Sequence, residues 1–299
     1  MTNNAARGGL LLGLGAYAIW GVLPLYFRWL GGVPALEVLA HRVVWSLALL
    51  LIVVTALRRW PAVRAAVTGR TMAMLAASAL LIATNWLIYI WAVNNHQTLA
   101  ASLGYFINPL VNVALGVAVL GERLRRWQGV AIAVAAVGVI AMAIGAIETL
   151  WISLTLALSF GFYGLVRKMV AIDSLGGLTI ETALLTPPSL IYLLIMAEGG
   201  GGAFGGDAVL NAKLVALGIV TAAPLLMFAE AARRLPYSTL GLLQYLAPTL
   251  QFIVAVAVFG EPLRPLHLLV FGLIWAGCAL FAWDGLRAAR ARARKPVVA

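Results

Sequence analysis

Val117-Ala118-Val119-Leu120-Gly121-Glu122-Arg123-Leu124 returns 139 residues later as Val256-Ala257-Val258-Phe259-Gly260-Glu261-Pro262-Leu263. The same ungapped shift sets Ala92 on Ala231, Leu103 on Leu242, Pro109 on Pro248 and Gly138 on Gly277. Identities at one constant offset over so long a stretch are hard to ascribe to composition. The chain therefore carries two copies of one unit, and that sets the architecture before any single residue is weighed.

Both copies lie in an apolar chain. Hydrophobic residues make up 63% of it, charged residues 10%, and mean hydropathy is +1.00. Soluble domains carry roughly 25% charged residues, and a helix crosses the hydrocarbon core in about 20 residues. Breaks at charge and turn clusters leave ten such stretches, at 8–30, 34–57, 71–93, 98–120, 127–146, 150–168, 174–197, 210–232, 236–259 and 264–286. The apolar runs are continuous rather than alternating, which excludes a β-barrel. Connections are short. The longest, Glu198 to Asp207, reads as a flexible polar loop. The first stretch is long enough to span and lacks a clear cleavage site, so it is expected to be retained.

Charge sets the orientation. With the N-terminus inside, 17 of the 21 basic residues fall on inner segments. Only Arg28, Lys213 and Arg264 fall outside, and Arg42 lies within a helix. That split follows the positive-inside rule and puts both termini in the cytoplasm. A net charge of +11 is thus a topology and headgroup signal rather than a nucleic-acid one. Five helices per copy is an odd number, so the second copy starts on the opposite side from the first. The expected fold is all-α and integral to the membrane, with ten transmembrane helices as two inverted five-helix repeats, 1–147 and 148–299. Such pairs can open to either side, with a substrate site near the midplane.

The Gly121-Glu122-x-Leu124 and Gly260-Glu261-Pro262-Leu263 hairpins follow the fourth and ninth stretches. This two-copy pattern over ten helices resembles the EamA-type members of the drug/metabolite transporter superfamily. Within it the chain is similar to the RarD-like branch. The resemblance rests on Tyr17 to Phe27 (YAIWGVLPLYF), Val33 to Ser46 (VPALEVLAHRVVWS) and Gly161 to Lys168 (GFYGLVRK). It covers nearly the whole chain. It implies a ten-helix inner-membrane carrier, often an exporter of amino acids or related metabolites, and leaves the substrate open. Members are also linked, often by name only, to drug sensitivity or resistance.

Polar residues inside the spans are the candidates for a site. On the fourth helix Ser102, Tyr105, Asn108 and Asn112 share one face. On the third, Ser78, Asn85 and Tyr89 line up. The repeat mates of the fourth-helix stripe include Gln244 and Gln251. Unpaired amides are costly in hydrocarbon, so these faces should turn inward. They line a cavity, or they hold helices together. Deep aromatics at Trp20, Trp86, Tyr89, Tyr105, Tyr163 and Tyr245 suit a small amphiphilic ligand, though packing explains each one equally well. The candidate substrate-binding set is Trp20, Ser78, Asn85, Trp86, Tyr89, Tyr105, Asn108, Asn112, Tyr163 and Gln244.

Glu37, His41 and Arg42 are the one compact ionisable group. Glu37 and His41 lie one turn apart and can share a hydrogen bond, while Arg42 is about 100° further round the helix. They carry protons or form a charge-neutralised lock, the reading we favour. Glu181 and Glu230 read as isolated carboxylates, with Arg233 or Arg234 available to Glu230. Pro109 and Pro248 are symmetry mates and serve as hinges or as static kinks. The two Gly-Glu turns read as structural, with each glutamate favouring the start of the next helix.

The expected function is secondary transport, with export of small amphiphilic metabolites such as amino acids with aromatic or other apolar side chains, by alternating access. The alternatives are a multidrug-type efflux carrier, or a non-transporting membrane partner or sensor. No enzyme is expected, since there is no P-loop, His-rich metal box or nucleophile–base constellation. No cofactor and no metal site are expected, and Cys278 alone cannot form an internal disulfide. The expected partners are a small-molecule substrate and the lipid bilayer, not nucleic acid. The oligomeric state stays open. The expected location is a bacterial inner membrane. On a Cys278→Ala background, cysteines placed in Gly199–Gly202 should label from outside intact cells. Cysteines beside Arg64 or after Arg290 should not, and their labelling would sink the orientation.

Overall fold

A computed structural model of the chain describes residues 3–94, 97–144 and 150–258, and positions 268–269, 272–273, 275–277, 279–280, 283–284 and 287. Eleven α-helices follow in order: α1 (Asn3–Leu30), α2 (Ala35–Ala56), α3 (Trp60–Ala66), α4 (Gly69–Asn94), α5 (Thr98–Ala118), α6 (Arg126–Ile144), α7 (Leu150–Met169), α8 (Ser174–Glu198), α9 (Ala208–Arg234), α10 (Tyr237–Leu243) and α11 (Leu246–Ile253). A π-helical turn, Val254–Val258, continues α11. The described positions of 268–287 are helical too. Among the described residues, α1, α2, α4, α7, α8 and α9 are long and apolar enough to cross a bilayer, and α5 and α6 hold shorter apolar stretches. The protein is an all-helical, multi-span membrane protein.

The first eight stretches expected from the sequence match α1, α2 and α4 to α9. The ninth, at 236–259, is not one helix. It breaks between α10 and α11. Proline has no N–H, so Pro248 cannot donate to the Gln244 carbonyl one turn back, and its ring crowds that carbonyl. Ala247 N–H takes the Gln244 oxygen instead, at 3.1 Å, and Tyr245 N–H bonds three residues back to Leu242 at 3.2 Å. The backbone tightens there into a 3₁₀-like turn. Its repeat mate Pro109 sits within an unbroken α5. Most of the tenth stretch, and the second Gly-Glu hairpin, lie outside the described residues. The short α3 was not anticipated.

Packing joins the two halves of the chain. α1 runs along α9 and α11, α2 against α8 and α9, α4 against α7 and α8, and α5 against α7 and α10. Without a hydrophobic drive between helices in lipid, close approach depends on small residues. A Cβ on Gly218 of α9 would lie 2.5 Å from the Trp45 carbonyl of α2. The core lies where α1, α7, α9 and α10 meet, around Tyr17, Tyr163, Phe228, Tyr237 and Leu240. The Tyr163 and Phe228 rings stack at 6.1 Å, and the Tyr237 hydroxyl donates to the Gly161 carbonyl at 2.6 Å.

Glu181 is not isolated. Its Oε1 lies 3.6 Å from Arg167 Nη1 and accepts from Ser78 Oγ, with both charged side chains 1% exposed. Arg167 also donates to the Ser174 carbonyl at 2.9 Å. Glu230 pairs with Arg234 at 2.7 Å and accepts from Ser174 Oγ at 2.8 Å. The Glu122 carboxylate also reaches beyond α6, the next helix. It accepts from Tyr237 N–H at 2.5 Å, at the start of α10. Removing one partner of a buried pair leaves an uncompensated charge and costs about 3–5 kcal/mol, whereas half-exposed pairs contribute little. Glu181→Ala should therefore lower stability by about 3–5 kcal/mol and Arg234→Ala far less. Equal losses of the two variants on SDS titration in mixed micelles would show that the Arg167–Glu181 pair is not a structural clasp.

Candidate functional site

Four residues of α1, Tyr17, Trp20, Pro24 and Phe27, recur at helical spacing and form one wall of a central cavity. Arg42 of α2, Asn85, Trp86 and Tyr89 of α4, and Tyr105 of α5 continue it. Phe160 of α7, Leu225 of α9, and Gln244, Ala247, Pro248 and Gln251 of the broken helix close it. Both halves of the chain contribute. The volume of about 70 Å3 exceeds the roughly 10–15 Å3 that one buried water needs. The Tyr89 and Tyr105 rings lie 5.6 Å apart, and among the described residues no hydrogen bond engages either hydroxyl. Trp20 meets Phe160 edge to face at 5.5 Å.

Of the residues singled out from the sequence, Trp20, Arg42, Asn85, Trp86, Tyr89, Tyr105, Gln244 and Pro248 line this cavity. Asn85 does so while clasping α7. Its amide nitrogen donates to the Leu156 carbonyl at 2.9 Å and to Ser159 Oγ at 3.1 Å. Ser78, Asn108, Asn112, Tyr163 and Pro109 do not reach the wall. Ser78 is taken by Glu181. Asn112 donates to Gln244 Oε1 at 2.8 Å, so that amide pair ties α5 to the break in the ninth span. Asn108 and Tyr163 are buried behind the lining. The side chain of Ser102 lies outside the described residues.

Of the expected Glu37–His41–Arg42 cluster, only the Glu37–His41 pair forms. Glu37 and His41 come no closer than 3.9 Å. Glu37 accepts from Ala203 N–H at 2.6 Å, and His41 Nδ1 accepts from Trp45 Nε1 at 3.2 Å. Phe204 packs on His41 and Trp45, with ring centroids 5.3 and 5.9 Å away. The 198–207 connection is thus docked on α2, not loose. Arg42 turns away from all of this, because the next residue on a helix points about 100° round. Its Nε donates to Thr221 Oγ1 of α9 at 3.0 Å, and its guanidinium lies over the Trp86 ring at 4.6 Å and the Phe27 ring at 5.7 Å.

Gln251, weighed with Gln244 as a repeat mate of the polar stripe, also lines the cavity, whereas Tyr17, Phe27 and Phe160 were not among the sequence candidates. For the α1 pair the signal was available as the 17-20-24-27 spacing. Thr221, a lone threonine in an apolar helix, gave none. Among the described residues no three His, Cys, Asp or Glu side chains gather as metal ligands would.

The EamA-like transporter family matches residues 7–144. A RarD protein of Streptomyces exfoliatus is 48% identical over 97% of this chain and 93% of its own length. The chain belongs to the EamA-type drug/metabolite transporters, on their RarD-like branch. A RarD protein of Escherichia coli strain K12 is 46% identical over 96% of this chain and 97% of its own. A solved crystal structure, 20% identical, superposes with a TM-score of 0.70 over 91% of this chain and 96% of its own, a likeness of fold. As a member of this family the protein is a membrane transporter.

The cavity wall is testable without a known substrate. On a Cys278→Ala background, Leu23→Cys and Gln251→Cys should react with a small hydrophilic thiol reagent at least about tenfold faster than the buried Ala157→Cys, since access limits reaction. Equal rates would mean that the cavity is dry or sealed.

Proposed function

We propose that the protein is a secondary carrier of the bacterial inner membrane that exports small amphiphilic metabolites, amino acids with aromatic or other apolar side chains among them, by alternating access. The observation that carries this reading is the central cavity. It mixes aromatic rings with amides and hydroxyls, and it is built from both halves of the chain.

Two inverted units, 1–147 and 148–299, are the architecture that we assign to it. The contact pattern supports this. A 139-residue shift carries the third span into the eighth and the fourth into the ninth. Inverted repeats then make α1 against α9 and α7 against α4 one kind of contact. They likewise make α1 against α11 and α7 against α5 another. Both members of each pair occur. Termini in the cytoplasm put Trp20, Pro24 and Phe27 of α1, and the lining residues of α4 and α5, in the outer half. The Tyr17, Tyr163, Phe228 and Tyr237 layer then lies on the cytoplasmic side of the cavity, and the conformation is closed inward. Opening that layer while the outer ends approach completes the cycle.

The coupling that we propose is weak or absent, with the cytoplasmic metabolite gradient driving export. Glu37 and His41 are engaged by the 198–207 connection and Trp45, which suits a lock rather than a proton site. The test is uptake of labelled phenylalanine and leucine into vesicles with purified protein, against empty vesicles, with and without a pH gradient. The expected result is protein-dependent equilibration in either direction without a gradient. Asn85→Leu should cut flux per molecule about tenfold, by removing a buried polar group from the wall. Gradient-dependent accumulation that vanishes in Glu37→Gln or His41→Ala would overturn the uncoupled reading. No protein-dependent flux of either amino acid would count against this substrate class.

A further inference from the structure

Arg42 is the residue of the cavity whose chemistry is least explained by packing. It is 6% exposed, lies within the span of α2, and carries a permanent charge. One nitrogen, Nε, bonds to Thr221. The two terminal nitrogens bond to nothing among the described residues. Among the described residues no carboxylate pairs with it. Among the described residues the ion pairs join Glu37 with His41, Asp173 with Arg59, Asp284 with Arg125, Glu181 with Arg167 and Glu230 with Arg234. A buried cation without a counter-charge is heavily penalised. Its neighbours supply only partial relief, through the faces of Trp86 and Phe27 and the Thr221 hydroxyl.

These same neighbours hold the guanidinium in place. The ring of Trp86 supports its face, and Thr221 fixes its Nε edge, so that the fork of terminal nitrogens is held ready. A fixed fork matches one ligand group best, a carboxylate that accepts two parallel hydrogen bonds. Around it the cavity offers apolar surface from Trp20, Trp86 and Phe160. It also offers unengaged hydroxyls from Tyr89 and Tyr105 for a second polar group.

We propose that Arg42 is the anchor for a substrate carboxylate, and that the cavity takes organic anions and amino acids with an apolar or aromatic body while rejecting amphiphilic cations. This rests on the carrier reading above and deepens it by fixing the sign of the ligand's charge. A cationic amphiphile of the same shape would meet a like charge in a low-dielectric space.

The experiment uses three matched probes, 3-phenylpropionate, 3-phenylpropionamide and 3-phenylpropylamine. Binding to purified protein in lipid nanodiscs is read from quenching of tryptophan fluorescence, with Trp86→Phe to locate the signal. The acid should bind about 10- to 100-fold more tightly than the amide, the range for a hydrogen bond to a charged group, and the amine should not saturate. Arg42→Gln should bring acid and amide within about twofold of each other, and Arg42→Lys should keep a reduced preference for the acid. Equal affinity of acid and amide for the unaltered protein, saturable binding of the amine, or no binding of the acid overturns the proposal. So does an acid preference that survives in Arg42→Gln. Should Arg42→Gln fail to fold, the acid-to-amide ratio of the unaltered protein decides. Vesicle flux of the same probes separates the two readings. Acid binding without flux retires the carrier and keeps the anion site, whereas flux of the amide or amine but not the acid retires the anion site and keeps the carrier.

Discussion

Hydrocarbon offers no hydrogen bonds, and this constraint organises the structure. A polar group carried into the membrane must find its partner on another helix, on its own helix, or in a cavity. Thr179, Thr182, Thr186 and Ser189 of α8 take the second course and bond to carbonyls one turn back. Five other side chains take the first. Ser78 reaches Glu181, Asn85 reaches α7, Asn112 reaches Gln244, Arg42 reaches Thr221 and Tyr17 reaches the Leu240 carbonyl. Each of these bonds links a residue before 147 to one after 148. The polar groups that make the spans expensive to insert are the ones that join the two halves.

The constraint also explains why cavity and clasp share residues. Asn85 spends its donors on α7 and still faces the central space. Gln244 receives Asn112 and lines the same space. Whether such a residue binds ligand or holds helices is therefore a poor dichotomy. Changing the partner helix, as alternating access requires, would alter what the amide offers to the ligand.

Membrane helices, their order and the polar faces were legible in the sequence because continuous apolar runs and a period near 3.6 are local signals. What depended on contacts distant along the chain was not. The ninth span shows both proline and glutamine in sequence, but whether Pro248 breaks its helix while Pro109 does not depends on the neighbours each meets. Glu122 sits beside the start of α6 in sequence and at the start of α10 in space. Glu37, His41 and Arg42 are neighbours along the chain, yet helix geometry sends Arg42 to a different face. The glycine-rich connection looked loose from its composition, but Phe204 and the Ala203 N–H dock it on α2.

An unpaired cation in the cavity wall also bears on the rhythm of a carrier cycle. A cavity that closes around Arg42 alone would trap a bare charge away from water, whereas a cavity that closes around Arg42 and a bound anion would trap a neutral pair. The loaded protein would then pass through its sealed state more readily than the empty one. Under that condition the return of the empty carrier limits net movement, and one-for-one exchange of substrate across the membrane outpaces one-way discharge.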